Sequence, residues 1–190
     1  MIKKQQYAVQ YAAKRAYVTT MMEVVGRALA ALTREDPVAR ETIERLPEGF
    51  RFAMTVMPDG PGLMLRKNAQ GVFVYEGAPR PGQKAELTIL IKHIEHAFRM
   101  LTFQESTAQA FANDRMLVDG EIGYAVRLVR ALNRLESIIL PKLIAERAVK
   151  EVDDLPLTEK IQAATRVYGG VLKSLVDTGI KELSRQVRAA

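Results

Sequence analysis

The stretch STAQAFANDRMLVDGEIGYAVRL, residues 106–128, contains the clearest local structural signals in the sequence. Ser106 starts the serine-x-x-glutamine spacing of a capping box, which predicts that a short helix begins there. The apolar residues 116–118 then predict a short buried strand. Gly120 can adopt a positive φ, and the charge of Glu121 favours the N-terminal end of a following helix. The stretch therefore predicts a helix, a strand, a tight turn and a second, longer helix.

Four more strands are predicted upstream, where the spacing of the apolar residues changes to two. Residues 50–56 alternate between large apolar and other side chains, as in a strand with one buried face. Residues 63–67 and 72–76 are bounded by turns, so the first three strands are predicted to form an antiparallel meander. Residues 87–91 form a fourth strand, and a helix with three-four spacing follows it and ends near residue 103.

Both ends of the chain are predicted to be helical. Residues 1–32 have apolar or small side chains at three-four spacing and contain no proline, which indicates one amphipathic helix. Asp36 and Pro37 are an N-cap followed by the proline favoured in a first turn, so a second, shorter helix follows. Near the other end, Pro141 kinks or ends the long helix, residues 153–156 form a joint, and a last helix completes the chain.

The motif within residues 110–128 resembles the closing motif of the sterol carrier protein (type two) family. The family pattern joins an alanine-phenylalanine pair, a strand, a glycine turn and the start of a helix. It is matched by Ala110, Phe111, Met116, Val118, Gly120, Glu121, Gly123, Ala125, Arg127 and Leu128. Residues 87–89 also resemble a strand that precedes a helix in that family, whereas Asp114 stands where the family usually has glycine. The resemblance covers about residues 49–128.

The resemblance implies an α+β fold, in which a five-stranded mixed sheet is covered by helices around an apolar tunnel that holds a lipid tail. We expect an N-terminal helical extension at residues 1–46, the sterol-carrier-like lipid-binding domain at 47–150 and a C-terminal helical extension at 151–190. The tunnel would be lined by Phe52, Met54, Phe73, Ile89, Phe98, Leu101, Phe103, Phe111, Met116, Val118 and Val126. The alternative is that the same side chains fill an ordinary core.

Two pairs of residues could suggest chemistry but are better explained by local structure. His93 and His96 lie three residues apart beside Glu95, an order that differs from the zinc-peptidase motif, so two surface histidines in a first helical turn are favoured. Asp119 and Glu121 could be paired carboxylates, although capping at a strand-to-helix turn explains both positions. We therefore predict no metal site and no catalytic residue.

Arg127, Arg130 and Arg134 form a basic ridge that could meet phosphate. A solvated helix face beside Glu136 or neighbouring acids is the favoured interpretation. Aromatic residues make up 6% of the chain and no recognition motif interleaves them with basic residues, so binding to nucleic acid is not predicted.

The composition excludes several classes of protein. With no cysteine, the chain has no disulfide framework, thiolate metal site or cysteine nucleophile. No run approaches the roughly eighteen apolar residues of a transmembrane helix, and the first residues lack the apolar stretch of a secretory signal, so a cytoplasmic protein is expected. No nucleophile-base pair, glycine-rich phosphate loop or metal-ligand spacing is present. We therefore expect a protein that is not an enzyme and needs no cofactor.

The net charge of +6 is concentrated at the two ends, with four net positive charges in residues 1–32 and three in residues 157–190. A basic amphipathic helix can lie on an anionic membrane, but packing on the C-terminal helix or on a second copy is favoured. The expected function is non-enzymatic binding or transfer of an apolar ligand, such as a lipid, fatty acyl chain, sterol-like molecule or isoprenoid quinone. The alternative is a structural or accessory protein that uses the same fold and its helical ends to assemble a partner complex or to dock at a membrane.

Overall fold

The structure is a computed structural model and describes residues 2–102 and 104–139. Its elements follow the predicted order of two helices, four strands, two helices, a fifth strand and a long helix. They are α1 (Ile2–Glu35), α2 (Pro37–Glu44), β1 (Arg51–Val56), β2 (Gly62–Lys67), β3 (Phe73–Gly77), β4 (Leu87–Ile91), α3 (Ile94–Leu101), α4 (Thr107–Ala112), β5 (Met116–Gly120) and α5 (Ile122–Ile139). The predicted kink at Pro141 and the predicted C-terminal extension lie outside the described residues.

The five strands form one mixed sheet in the order β3-β2-β1-β4-β5. The pairs β1–β2, β2–β3 and β4–β5 are antiparallel, whereas β1 and β4 are parallel, with Phe52 opposite Leu87 and Met54 opposite Ile89. This is the α+β fold with a five-stranded mixed sheet that the sequence predicts. The alternating residues of β1 and β4 place Met54 and Ile91 on the face that the long helices cover.

Helix α1 is part of the core. From Val18 onwards most of its apolar residues are buried with the inner face of the sheet, and Leu29 and Leu32 are fully buried. Gly26 permits this approach, because a Cβ there would lie 2.5 Å from a ring carbon of Tyr75 on β3. Residues on both sides of the predicted boundary at 46 and 47 contribute to this core, and the boundary itself stays a prediction. The apolar stripe of α1, expected to pack on the C-terminal helix or on a second copy, packs from Val18 onwards on its own sheet.

Helix α2 is capped at both ends by buried charged residues. Asp36 accepts a hydrogen bond from the amide of Ala39 at 2.8 Å, as the predicted N-cap requires. At the other end, Lys67 Nζ donates to the carbonyls of Glu44 and Leu46 at 2.6 and 2.5 Å. Burial lowers the pKa of Lys67, and these carbonyl contacts compensate for the loss of water. The capped helix packs against α5 and helps to position it.

The turns on either side of β5 explain the motif that begins at Ser106. The predicted capping box is present. The Ser106 hydroxyl accepts the backbone amide of Gln109, and the side-chain oxygen of Gln109 accepts the backbone amide of Ser106. Asp114 adopts a φ of +56°, which is the left-handed conformation that a glycine would favour at that position. Gly120 has a φ of +133° and turns the chain from β5 into α5. None of the helices in the described part of the chain is long and apolar enough to cross a membrane.

Candidate apolar-ligand site

A cavity of about 100 Å³ lies between α1, α5 and the covered face of the sheet. Four of its lining residues come from α1 and three from α5, and the others come from β1, β4, α3 and α4. The residues are Met21, Val24, Val25, Ala28, Met54, Ile91, Met100, Leu101, Thr107, Leu132, Leu135 and Glu136. Ten of these twelve side chains are apolar, so the cavity suits a hydrocarbon group better than a polar molecule.

The cavity has a buried floor and a partly exposed rim. The floor residues are between 1% and 6% exposed, and they are Ala28, Met54, Ile91, Leu132 and Leu135. The remaining lining residues are partly exposed, and they include the two polar ones, Thr107 and Glu136. A molecule in this cavity would therefore have its apolar end on the floor and its polar end at the rim.

The predicted tunnel residues are divided between this cavity and the surrounding core. Met54 and Leu101 line the cavity. Phe52, Phe73, Ile89 and Met116 are buried elsewhere in the core, and Phe98 and Val118 pack against it while partly exposed. Phe103 lies outside the described residues. The structure therefore brings two of the predicted residues together at the site, while the role of the whole set in ligand binding stays a prediction.

Two of the predicted lining residues point away from the core. Phe111 is 59% exposed, because α4 presents Ala110 to the core and the next residue on a helix projects about 100° away. Val126 is 47% exposed, because it shares a helix face with Ile122 and Arg130, which are also exposed. The prediction that Phe111 and Val126 are buried is therefore wrong.

The contribution of α1 to the site is not predicted from the sequence. Val25, Ala28 and the neighbouring lining residues belong to the apolar stripe of residues 1–32, which the sequence analysis assigns to an extension. Leu132 and Leu135 belong to the long helix that the sequence predicts after Glu121. The three-four spacing of apolar residues identifies the apolar face of each helix. That the two faces meet over Met54 depends on the tertiary fold, which the spacing does not specify.

Glu136 is the one ionisable residue among the described residues that line the cavity. Burial raises the pKa of its carboxyl from an ordinary value of 4.5 to about 7. Within residues 2–102 and 104–139, no hydrogen bond or ion pair stabilises its charged form. An uncharged carboxylic acid is therefore well populated at neutral pH, and it provides one O–H donor in addition to acceptor oxygens.

The raised pKa predicts that folding stability falls as pH rises through the Glu136 titration. The folded state binds more protons than the unfolded state between pH 4.5 and about 7, so the contribution is present below this range and lost above it. The free energy of unfolding should fall by roughly 3 kcal/mol at most over this range. Urea unfolding of the wild type and of Glu136→Gln is measured at about pH 5 and pH 8. The fall in the free energy of unfolding between the two pH values should be larger in the wild type than in Glu136→Gln. The same pH dependence in both proteins would contradict the prediction.

The two histidines belong to a polar cluster at the start of α3. His93 is exposed and its Nδ1 accepts the amide of Glu95, so it caps α3. Burial and the nearby Arg115 lower the pKa of His96. Burial alone would raise the pKa of Glu105, but hydrogen bonds from Arg115 and Asn113 outweigh that effect and lower it. No three His, Asp or Glu side chains among the described residues are placed to hold a metal ion.

The remaining charged candidates take structural positions. Asp119 and Glu121 are exposed, and the Glu121 carbonyl accepts the backbone amides of Tyr124 and Ala125 in the first turn of α5. Arg130 is exposed, but Arg134 is 10% exposed and donates to the carboxylate of Asp36 at 2.8 Å. The predicted ridge of solvated arginines is therefore wrong at Arg134, because that residue lies in a buried ion pair between α5 and α2.

Comparisons with known proteins give a likeness to solved structures only. No family model matches the sequence, and no curated protein matches it. Solved structures do match. The ubiquinone synthesis protein UbiJ-SCP2 is 13% identical, with 63% of this chain and 96% of that chain covered and a TM-score of 0.41. The chain is similar to that structure over this segment.

Two further solved structures have similar coverage. The second sterol carrier protein domain of Helicoverpa armigera is 18% identical over 63% of this chain and 85% of that chain, with a TM-score of 0.38. A conserved hypothetical protein of Thermus thermophilus, described as possibly a sterol carrier protein, is 18% identical over 66% of this chain and 86% of that chain, with a TM-score of 0.43.

Proposed function

We propose that this chain binds the apolar part of a lipid-like molecule in the cavity between α1, α5 and the sheet, and that it carries this molecule without chemical change. The observation that supports the proposal is the apolar floor formed by Ala28, Met54, Ile91, Leu132 and Leu135. A fatty acyl chain, a sterol-like molecule or an isoprenoid quinone all have an apolar part that such a floor would accept. Burial contributes about 0.8 kcal/mol for each methylene removed from water.

The size of the cavity determines how a ligand would lie. Filling about 100 Å³ of empty core recovers roughly 2 kcal/mol, whereas micromolar affinity requires about 8 kcal/mol. The tail would therefore have to extend past the floor and displace residues of the rim. Met21 and Met100 are at the rim and partly exposed, and unbranched methionine side chains adapt readily to a new shape.

A cavity-filling substitution tests the proposal. Ala28 is 1% exposed and lines the floor, so Ala28→Leu should occupy the space and reduce bound lipid severalfold while the fold is kept. The amount is measured by solvent extraction and mass spectrometry of protein purified from cells, and by uptake of fluorescent long-chain alcohols and acids. Ala16→Leu is the matched control, because Ala16 is exposed on the same helix.

Two outcomes would contradict the proposed function. One is a wild-type protein that yields no extractable apolar molecule and takes up neither type of fluorescent probe. The other is an Ala28→Leu variant that folds and binds as much lipid as Ala16→Leu, because the ligand would then lie elsewhere.

Contacts of the terminal helices with a second copy or with a membrane stay predictions. The first turns of α1 project beyond the core, and Val9 is 66% exposed. Two of the basic residues there contact the domain itself. Lys14 Nζ lies 2.6 Å from the carboxylate of Glu95, and Arg15 donates to the carbonyl of Asp59 at 2.8 Å. Part of the positive charge of α1 therefore has partners within the chain, which lowers its expected contribution to membrane binding.

A further inference from the structure

Building on the proposed function, we infer that Glu136 is the polar end of the binding site and selects ligands with an uncharged oxygen head, a hydroxyl or a carbonyl, over ligands that end in a carboxylate or phosphate. The inference concerns the head of the ligand, whereas the apolar floor concerns its tail. The inference rests on the proposed function, so both fail if no apolar ligand binds. If apolar ligands bind without discrimination between their heads, the inference alone fails.

The position of Glu136 follows from the shape of the cavity. A tail on the buried floor places the ligand head at the rim, where Glu136 and Thr107 are the polar side chains of the wall. The other lining residues cannot form a side-chain hydrogen bond of ordinary strength. A head group with an oxygen atom would therefore find its partners in one carboxyl and one hydroxyl.

Among the described residues of the wall, no basic side chain could neutralise an anionic head. Arg134, two residues from Glu136 on the same helix, already donates to Asp36. The residues that α1 contributes to the wall are apolar, as are those from β1, β4 and α3, and α4 contributes only Thr107. A carboxylate or phosphate would therefore lose water without gaining a counter-charge, and it would stand beside a second acidic group.

An uncharged head meets the opposite conditions. The protonated carboxyl of Glu136 can donate to a carbonyl or hydroxyl oxygen, and its other oxygen can accept from a hydroxyl. Burial raises the pKa of Glu136 to about 7, so the donor form is available near neutral pH. This chemistry favours fatty alcohols, esters and ketones over free fatty acids with the same tail.

Three ligands with the same hydrocarbon tail test the inference: hexadecanol, methyl hexadecanoate and hexadecanoate. Their affinities for the full chain are measured at about pH 8, where hexadecanoate is ionised, by displacement of a bound fluorescent fatty alcohol. At this pH the carboxyl of Glu136 is itself mostly ionised. The wild type should therefore bind hexadecanol, whose hydroxyl can donate to that carboxylate, at least about tenfold more tightly than hexadecanoate, which the carboxylate repels. The ester needs the protonated form of Glu136 as a donor, so its affinity should rise when the pH is lowered to about 6. Because the tails are the same, the ratio reports on the head alone.

Glu136→Gln should reduce that ratio about tenfold, mainly through tighter binding of hexadecanoate, because it removes the acidic group while keeping a hydrogen-bonding side chain of similar size. Glu121→Gln is the matched control, since Glu121 is exposed outside the cavity and its replacement should leave the ratio unchanged. A wild type that binds all three ligands with similar affinity would overturn the inference and leave the proposed function standing. A wild type that binds none of them would overturn the proposed function itself.

Discussion

Replacement of Asp36 by alanine is expected to lower the free energy of unfolding by about 3–5 kcal/mol. The Asp36 carboxylate is 8% exposed and has two tasks, since it caps α2 through the amide of Ala39 and pairs with Arg134 of α5. Alanine removes the cap and also takes the carboxylate away from a largely buried guanidinium. Urea unfolding monitored by circular dichroism measures the loss.

Asp36→Asn separates the two tasks. Asparagine keeps a cap acceptor for Ala39 but carries no charge for Arg134, so this variant should lie between the wild type and Asp36→Ala. Thr42→Ala is a control on α2, because Thr42 is partly exposed and its hydroxyl donates to the carbonyl of Val38 in the same helix. If Asp36→Ala lost less than about 1 kcal/mol, the buried pair would not be holding α5 against α2.

Gly120→Ala is the second substitution expected to have a large effect. A Cβ on residue 120 would lie 2.5 Å from the carbonyl oxygen of Glu86 and 3.0 Å from the Cα of Leu87, both of which are backbone atoms. The φ of +133° is also one that an L-residue rarely adopts. The strain and the contact together should cost at least about 2–3 kcal/mol in the free energy of unfolding.

The same substitution at Gly123 is the control for Gly120→Ala. Gly123 lies in α5, and its added Cβ would approach only the carboxylate of Glu121, at 3.2 Å, at the end of a flexible side chain. Because alanine favours the helix over glycine by about 1 kcal/mol, Gly123→Ala should be neutral or stabilising in thermal unfolding. Equal effects at the two positions would show that the turn after β5 does not depend on glycine.

The parts of the fold that can be predicted from the sequence rest on local signals. The capping box at Ser106, the N-cap at Asp36 and the alternation in β1 each involve residues within a few positions of one another. Such patterns determine where elements begin, which face is buried and where the chain turns. They are sufficient for the element order, whereas the five-stranded sheet is expected from the family resemblance.

The parts that cannot be predicted in this way depend on residues far apart in the chain. Arg134 lies 98 positions from Asp36, so nothing in the local pattern of α5 distinguishes it from the exposed Arg130. The size and apolar character of Phe111 predict a core position, but α4 has only six residues and buries Ala110 instead. The cavity requires α1 to cross the sheet, which periodicity cannot specify.

The packing of α1 on the sheet has a consequence for synthesis of the chain. The helix is synthesised before β2 and β3, which cover its apolar face and end at Lys67 and Gly77. The hydroxyl of Thr33 likewise accepts the amide of Phe73, forty residues later. During translation, α1 must therefore wait with Leu29 and Leu32 uncovered until more than forty further residues have been added, which is the interval in which a nascent chain is most prone to aggregate.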